Sequence, residues 1–321
     1  MTEVDLAVDV GGTKISVATV GPGFDVEHVR TLPTPAAPTA ILDAIEAAAR
    51  DVRARSEASG RTVHAVGIGT AGVVDADGTV RSATGTIPGW AGTRVGPEIR
   101  RRLGLPTVVL NDVHAFALAE AAIGAARDVG VCLAVMVGTG IGGAIVGPHG
   151  LWRGATGTAG SLGHVPSVRA GTMPCSCGLT GHVESIASGP GIAALYRART
   201  GVTRTTRDIA ALCRAGDPAA TEVVADAGAA LGEALAAVVD IVDPDVVVLA
   251  GGVLEIGGGL ADGARASLRA HALPGPASVR VAVSTLGADA VLVGAALHAH
   301  ATLDGPGAPG PGDGHPNRTL L

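Results

Sequence analysis

Aromatic residues are nearly missing from this chain: two Trp, two Phe and one Tyr make up 2% of it. Hydrophobic residues still reach 47%, so the core has to be built from Ala, Val, Leu and Ile. Cysteine is scarce as well. Four of them, unevenly spaced in 321 residues, do not make a disulfide framework. There is no dense basic patch and the net charge is −6, which argues against nucleic acid as a partner. The opening MTEVDLAVDV is acidic and has no basic region ahead of its apolar run, so no signal peptide is read there. No apolar run reaches ~18 residues, and no membrane span is expected. A soluble cytoplasmic protein, long enough for two domains, is the expectation.

Glycine, by contrast, is abundant at 49 residues, and it sits between apolar runs. That placement marks tight strand-to-loop transitions. Residues 4–10 alternate, with Val4, Leu6, Val8 and Val10 set against Asp5, Ala7 and Asp9, the period-two pattern of a strand. Gly11-Gly12-Thr13-Lys14 follows, then the strand ISVATV. Strand, glycine turn and strand make a hairpin. The dinucleotide and Walker phosphate motifs are thereby excluded, because both need a helix after the glycines. VCLAVMV, GTGIGG at 138–143 and AIV repeat the same hairpin pattern.

Between and after these hairpins, strands and helices alternate. Helices are predicted over 40–58, after Asp112, over 183–199 with a break at Gly189-Pro190, over 218–242 and over 288–301. Strands are predicted at 63–72, 106–112, 245–253 and 279–284, the first and third of them buried and the third running into Gly251-Gly252. The sequence therefore reads as two similar α/β halves with a cleft between them, without a close sequence repeat.

One stretch, GSLGHVPSVRAGTMPCSCGLTGHVE at 160–184, holds two cysteines and two histidines in the order H-x10-C-x-C-x4-H. Cys175 and Cys177 are one residue apart and unsuited to pair with each other. With His164 and His182 they have the donor types of a tetrahedral zinc site. The alternative is a glycine-rich loop with free thiols and surface histidines.

Two glycine hairpins facing one cleft suit a polyphosphate, since glycine lets backbone N–H groups approach phosphate oxygens closely. Either hairpin alone is equally an ordinary tight turn. Together, DVGGTK at 9–14, NDVHAFALAE at 111–120, GTGIGGAIV at 138–146 and C-x-C-G-x-x-G at 175–181 resemble the ROK family of sugar kinases and sugar-responsive repressors, in order and spacing over residues 4–301. The resemblance implies the actin-like ATPase (hexokinase-type, ribonuclease H-like) fold. It also implies ATP, Mg²⁺ and a hexose in the cleft, with the γ-phosphoryl passing to a sugar hydroxyl, usually O6. Asp112 would be the catalytic base; its other reading is a helix N-cap. Asp9 would orient Mg²⁺ through water, or else is a turn residue. Gly11, Gly12, Thr13, Gly138, Thr139 and Gly140 would cradle phosphates, with Lys14 at hand or merely a solvated charge. Gly251 and Gly252 would lie by the nucleoside. The sugar would meet Gly72, Asn111, Asp112, Ser161, His164 and Glu184. His164, Cys175, Cys177 and His182 would hold a structural Zn²⁺ that shapes the sugar wall. A homodimer or homotetramer is implied.

The chain departs from the family pattern at four positions. His182 stands where the third cysteine is usual, Ser161 where a glutamate binds sugar hydroxyls, and His114 and Thr86 where asparagines are usual. N-acetylmannosamine kinases of the family also lack that glutamate. Their later segment resembles GLTGHVESIASG at 178–189, and an earlier one resembles Leu32 to Ala36. The expected substrate is a hexose or N-acylhexosamine, N-acetylmannosamine first, then glucose or N-acetylglucosamine. The rival reading is a non-enzymatic sugar sensor. The family's repressors carry a winged helix before the first hairpin, and here that hairpin's Asp is residue 9. A redox or metal-storage protein built on C-x-C leaves the other motifs unexplained. The expected domains are 1–116 with the closing helix 288–301 packed on it, 117–287 with the zinc loop, and a disordered Gly/Pro-rich tail at 302–321.

Overall fold

The computed structural model describes residues 2–254 and 259–304; most of the predicted tail, 305–321, lies outside the described residues. The first hairpin forms as read. β1 (Thr2–Val10) pairs antiparallel with β2 (Lys14–Val20), Val10 facing Ile15 across the glycine turn. β2 pairs on to β3 (Val26–Pro33). α1 (Pro38–Ala58) follows, with Pro in its first turn, where a missing N–H is harmless. Its apolar positions recur at helical spacing, so Ile41, Ile45, Ala48 and Val52 are all buried. β4 (Arg61–Thr70), the two-stranded pair β5 (Val73–Val74) and β6 (Val80–Ser82), α2 (Val95–Leu103), β7 (Thr107–Asn111) and α3 (Asp112–Ile123) complete the first half.

The second half opens with β8 (Cys132–Val137), β9 (Ile141–Gly147) and β10 (Gly150–Trp152). The long glycine-rich stretch leads to α4 (Glu184–Ala187) and α5 (Gly189–Thr200). The break between these helices falls at Ser188, one residue ahead of the predicted Gly189-Pro190, which instead opens α5; Ser188 has an extended backbone and its side chain caps α5 by accepting from Gly191 N. Next come α6 (Thr206–Arg214), α7 (Pro218–Val242), β11 (Val246–Ala250), α8 (Leu260–His271), β12 (Arg280–Val283) and α9 (Ala290–Asp304). α7 has the predicted bounds for local reasons. Asp217 caps it by accepting from Ala220 N at 2.8 Å, Pro218 starts it, and Asp243 ends it in a left-handed conformation just before Pro244.

The two five-stranded sheets have one topology: β3-β2-β1-β4-β7 and β10-β9-β8-β11-β12. In each, an antiparallel meander of three strands is extended by two parallel strands. The duplication that the hairpins hinted at is thus complete at the level of the sheet. The described residues divide into two compact units. One takes residues up to 81, 89–115 and those from 291; the other takes 82–88 and 116–290.

Within the first unit, α9 comes back from the far end of the chain and lies directly on the sheet. A Cβ at Gly67 would fall 2.0 Å from Ala295 O, and one at Gly294 would fall 1.7 Å from Ala115 O. The core of the second unit is aliphatic, as the composition demands: Val, Leu, Ile and Ala from β8, β9, α4, α5, α7, β11 and α8, with Tyr196 the one aromatic ring in that cluster. Each fully buried Leu or Val there contributes ~1.5–3 kcal/mol. α7 and α8 approach closely through small residues; a Cβ on Gly232 would lie 2.4 Å from Ala264 O.

Candidate active site

In the first unit β1, β4 and β7 run parallel, so their carboxyl ends lie together. Ligands of open α/β sheets bind outside such ends. The ends carry Asp9, the Gly11–Thr13 turn, the loop at Gly72, and Asn111-Asp112. Asn111 is fixed on both sides: its Nδ2 donates to Gly72 O at 3.0 Å, and its Oδ1 accepts from Val113 N at 2.9 Å and His114 N at 3.3 Å. Asn111 therefore supplies most of the N-cap of α3. Asp112 Oδ1 accepts from Val113 N at 2.9 Å.

Both carboxyls are perturbed. Burial raises the pKa of Asp112 above the ordinary carboxylate value, against the opposing hydrogen bonds from Val113 N and Asn111. Burial, with the charge of Asp112 adding to it, pushes Asp9 up to about 7, while Lys14 pulls the other way. Two carboxylates that repel in this manner fit a divalent cation, whose charge relieves the repulsion. Thr13 and Lys14 are exposed, and the turn is braced by Thr34, whose Oγ1 donates to Gly11 O at 2.7 Å.

In the second unit β8 and β11 are parallel neighbours, and their carboxyl ends carry the Gly138–Gly140 turn and Gly251. Gly251 has φ 105° and packs so closely on β8 that a Cβ would stand 2.3 Å from Val137 O. No other residue suits that conformation and that contact. Gly138 O accepts from Gly189 N at 2.9 Å, and Thr139 is exposed on the turn. Gly252 follows Gly251, and a Cβ there would meet open space.

The 160–184 stretch is held by short backbone ladders. Val183 N donates to Val165 O at 3.0 Å and Cys175 N to Leu179 O at 2.8 Å, and bridges pair Pro166 with His182 and Pro174 with Thr180. These ladders collect the four expected donors. The ligand atoms of His164, Cys175, Cys177 and His182 lie within 4.8 Å of one another, with Cys175 Sγ 3.6 Å from His164 Nδ1 and Cys177 Sγ 3.3 Å from His182 Nδ1. All four cysteines are free thiols. The donor set and its closeness fit a tetrahedral Zn²⁺, whose bonds of ~2.0–2.3 Å place ligand atoms ~3.3–3.8 Å apart. With Nδ1 of His164 turned to the sulfur, Nε2 is the nitrogen left for another partner.

Ser161 donates its hydroxyl to Thr158 O at 2.7 Å and brings no charge to the loop. Glu184 is buried, and each of its oxygens already has a protein donor: Oε2 accepts from Ile141 N at 2.8 Å, and Oε1 accepts from Ser176 Oγ. Ser176 was not among the residues the sequence pointed to. Its place between the two metal-type cysteines was the available signal.

The duplicated sheet, with glycine turns and an acidic pair at the strand ends, defines an actin-like ATPase fold, and comparison with known proteins gives the family. The ROK family description matches residues 5–302. A glucokinase of Halalkalibacterium halodurans is 30% identical over 309 residues, 90% of this chain and 92% of the relative. An N-acetylmannosamine kinase of Citrobacter koseri is 34% identical over 296 residues, 91% and 97% of the two chains. The crystal structure of a ROK family glucokinase from Streptomyces griseus, in complex with glucose and AMPPNP, superposes with a TM-score of 0.79 at 32% identity, covering 92% of this chain and 98% of the other. The chain belongs to the ROK family. Within that family it is a sugar kinase, using ATP to phosphorylate an alcohol group.

Proposed function

We propose that this sugar kinase transfers the γ-phosphoryl of ATP to the 6-hydroxyl of a hexose or N-acylhexosamine, N-acetylmannosamine first, with Asp112 as the general base. The observation that carries the reading is Asp112 itself. It is a carboxylate at the start of α3, flanked by an asparagine that takes over the capping, and its pKa is raised by burial. A base accepts the hydroxyl proton best when its pKa approaches the working pH. Phosphoryl transfer asks little else of the protein than positioning and neutralisation of charge.

Each unit supplies part of the machinery. The first would hold Mg²⁺ through Asp9 and meet phosphates along Gly11, Gly12, Thr13 and Lys14. When bound, the cation neutralises charge on the phosphate oxygens. The second would cradle phosphates at Gly138, Thr139 and Gly140 and the nucleoside at Gly251 and Gly252. Gly72, Asn111, Asp112, Ser161, His164 and Glu184 are the proposed sugar contacts, Glu184 through the lone pairs its protein donors leave over. His164, Cys175, Cys177 and His182 would hold Zn²⁺ as a closed structural site, fixing the ring of His164.

Ser161 supports the preference for an N-acylated sugar. A neutral hydroxyl already donated to Thr158 O cannot give the bidentate acceptance that a glutamate gives two sugar hydroxyls. A coupled ADP-release assay over N-acetylmannosamine, N-acetylglucosamine, glucose, mannose, fructose and allose tests the proposal. The highest kcat/KM is expected for N-acetylmannosamine. Turnover with glucose alone removes the substrate preference, and no turnover on any sugar favours a sensor.

A further inference from the structure

The turn after β8 is tied to the metal-type loop through a single side chain. Glu184 Oε2 accepts the Ile141 N–H at 2.8 Å, at the point where the Gly138–Gly140 turn enters β9. Glu184 Oε1 accepts from Ser176 Oγ and lies 3.6 Å from Cys175 Sγ. Ser176 is the residue between Cys175 and Cys177, so the fold of that loop decides where its hydroxyl points. The turn is shaped around the carboxylate: a Cβ on Gly140 would stand 2.6 Å from Glu184 Oε2. Two residues beyond α4, Gly189 N donates to Gly138 O at 2.9 Å, so the turn is gripped at both ends from the same short segment.

We propose that Glu184 is a positioning residue for the nucleotide: the relay Ser176–Glu184–Ile141 holds the Gly138–Gly140 turn in the shape that receives phosphates. The inference rests on the kinase reading above and adds to it. The loop at 160–184 then serves the phosphoryl donor as well as the sugar. A buried carboxylate suits this task because it accepts from two donors on separate segments at once, and charge-assisted bonds of this kind are about twice as strong as neutral ones.

The test is the dissociation constant for AMPPNP, measured calorimetrically without sugar. Ser176 is exposed, so Ser176→Ala leaves no cavity. It is expected to weaken AMPPNP about 3–10-fold, the equivalent of one hydrogen bond worth ~0.5–1.5 kcal/mol. Ser176→Thr, which keeps the hydroxyl, should restore binding. Glu184→Ala should weaken AMPPNP further, and Glu184→Gln, which still accepts from Ile141 N, should recover most of the loss. Faster hydrogen exchange of residues 138–142 in Ser176→Ala is the accompanying signature. A merely structural role predicts a lower Tm for Ser176→Ala and Glu184→Ala with unchanged AMPPNP affinity, and that result overturns the proposal. Wild-type protein that binds no AMPPNP overturns the kinase reading and this proposal with it; wild-type binding with unaltered variants overturns this proposal alone.

Discussion

Asp9 lies at the carboxyl end of β1 and Asp112 just beyond that of β7, with β4 between them, and each makes a distinct prediction. Asp112→Asn keeps the shape and the bond from Val113 N but removes the proton acceptor. It is expected to lower kcat by ~10²–10⁴-fold, the usual worth of a general base, with the circular dichroism spectrum unchanged. A fully active variant would remove Asp112 from its role. The raised pKa of Asp112 also fixes the pH profile: kcat/KM should climb with pH along an acidic limb lying above the ordinary carboxylate range, because the base works only when ionised. Asp9 is read through stability. Its folded pKa, about 7, lies above the ordinary 3.8, so the fold favours its protonated form. That contribution is complete below pH 4 and is lost as pH rises through 7. In metal-free protein Asp9→Asn should therefore raise stability by about 1–3 kcal/mol at pH 8, after solvent screening, and leave it unchanged at pH 4. Denaturant melts at the two pH values check the sign.

The elements show how far local pattern reaches. α7 was legible to the residue because Asp217-Pro218 and Asp243-Pro244 bracket it in the sequence. Both glycine hairpins were legible because strand, glycine and strand leave no other short connection. α6 was overlooked although Thr205 and Asp208 form a capping box, since the helix is only nine residues long. α2 and β3 were overlooked because their burial is weak or interrupted: three consecutive arginines close α2, and β3 has an exposed run at 29–31 on the sheet edge. The four metal-type donors could be named because their spacing is local, and Asn111 and Asp112 through the family resemblance of the segment that holds them. The grip of Glu184 on Ile141 could not, since it joins residues 43 apart. The closing helix was expected to pack on the first half, but the tightness of its contact with α3 could not be read from the sequence, and it is testable. Gly294→Ala would put a methyl 1.7 Å from Ala115 O, overpacking expected to cost ~1–3 kcal/mol and to lower the Tm by several degrees.

For the whole molecule, the metal-type loop is the simplest feature to assay. Freshly purified protein should contain about one zinc per chain, as a closed four-donor site requires. Chelation should lower the Tm and expose Cys177 to thiol reagents ahead of the buried Cys175 and Cys132. Finding no metal, with Cys177 freely reactive from the start, would remove the site. The path of the chain through its two units has a consequence of another kind. One unit is nearly continuous, from 116 to 290, whereas the other needs residues from 291 onward to cover Gly67 and Gly69. On the ribosome, where segments appear in order, the earlier unit has the five strands of its main sheet in hand by Asn111, long before the helix that covers them is made. The earlier unit waits with a bare sheet face until α9 emerges. Its assembly is timed by the arrival of that helix, and a stall during synthesis just before residue 291 would leave that face open to chaperones or to aggregation.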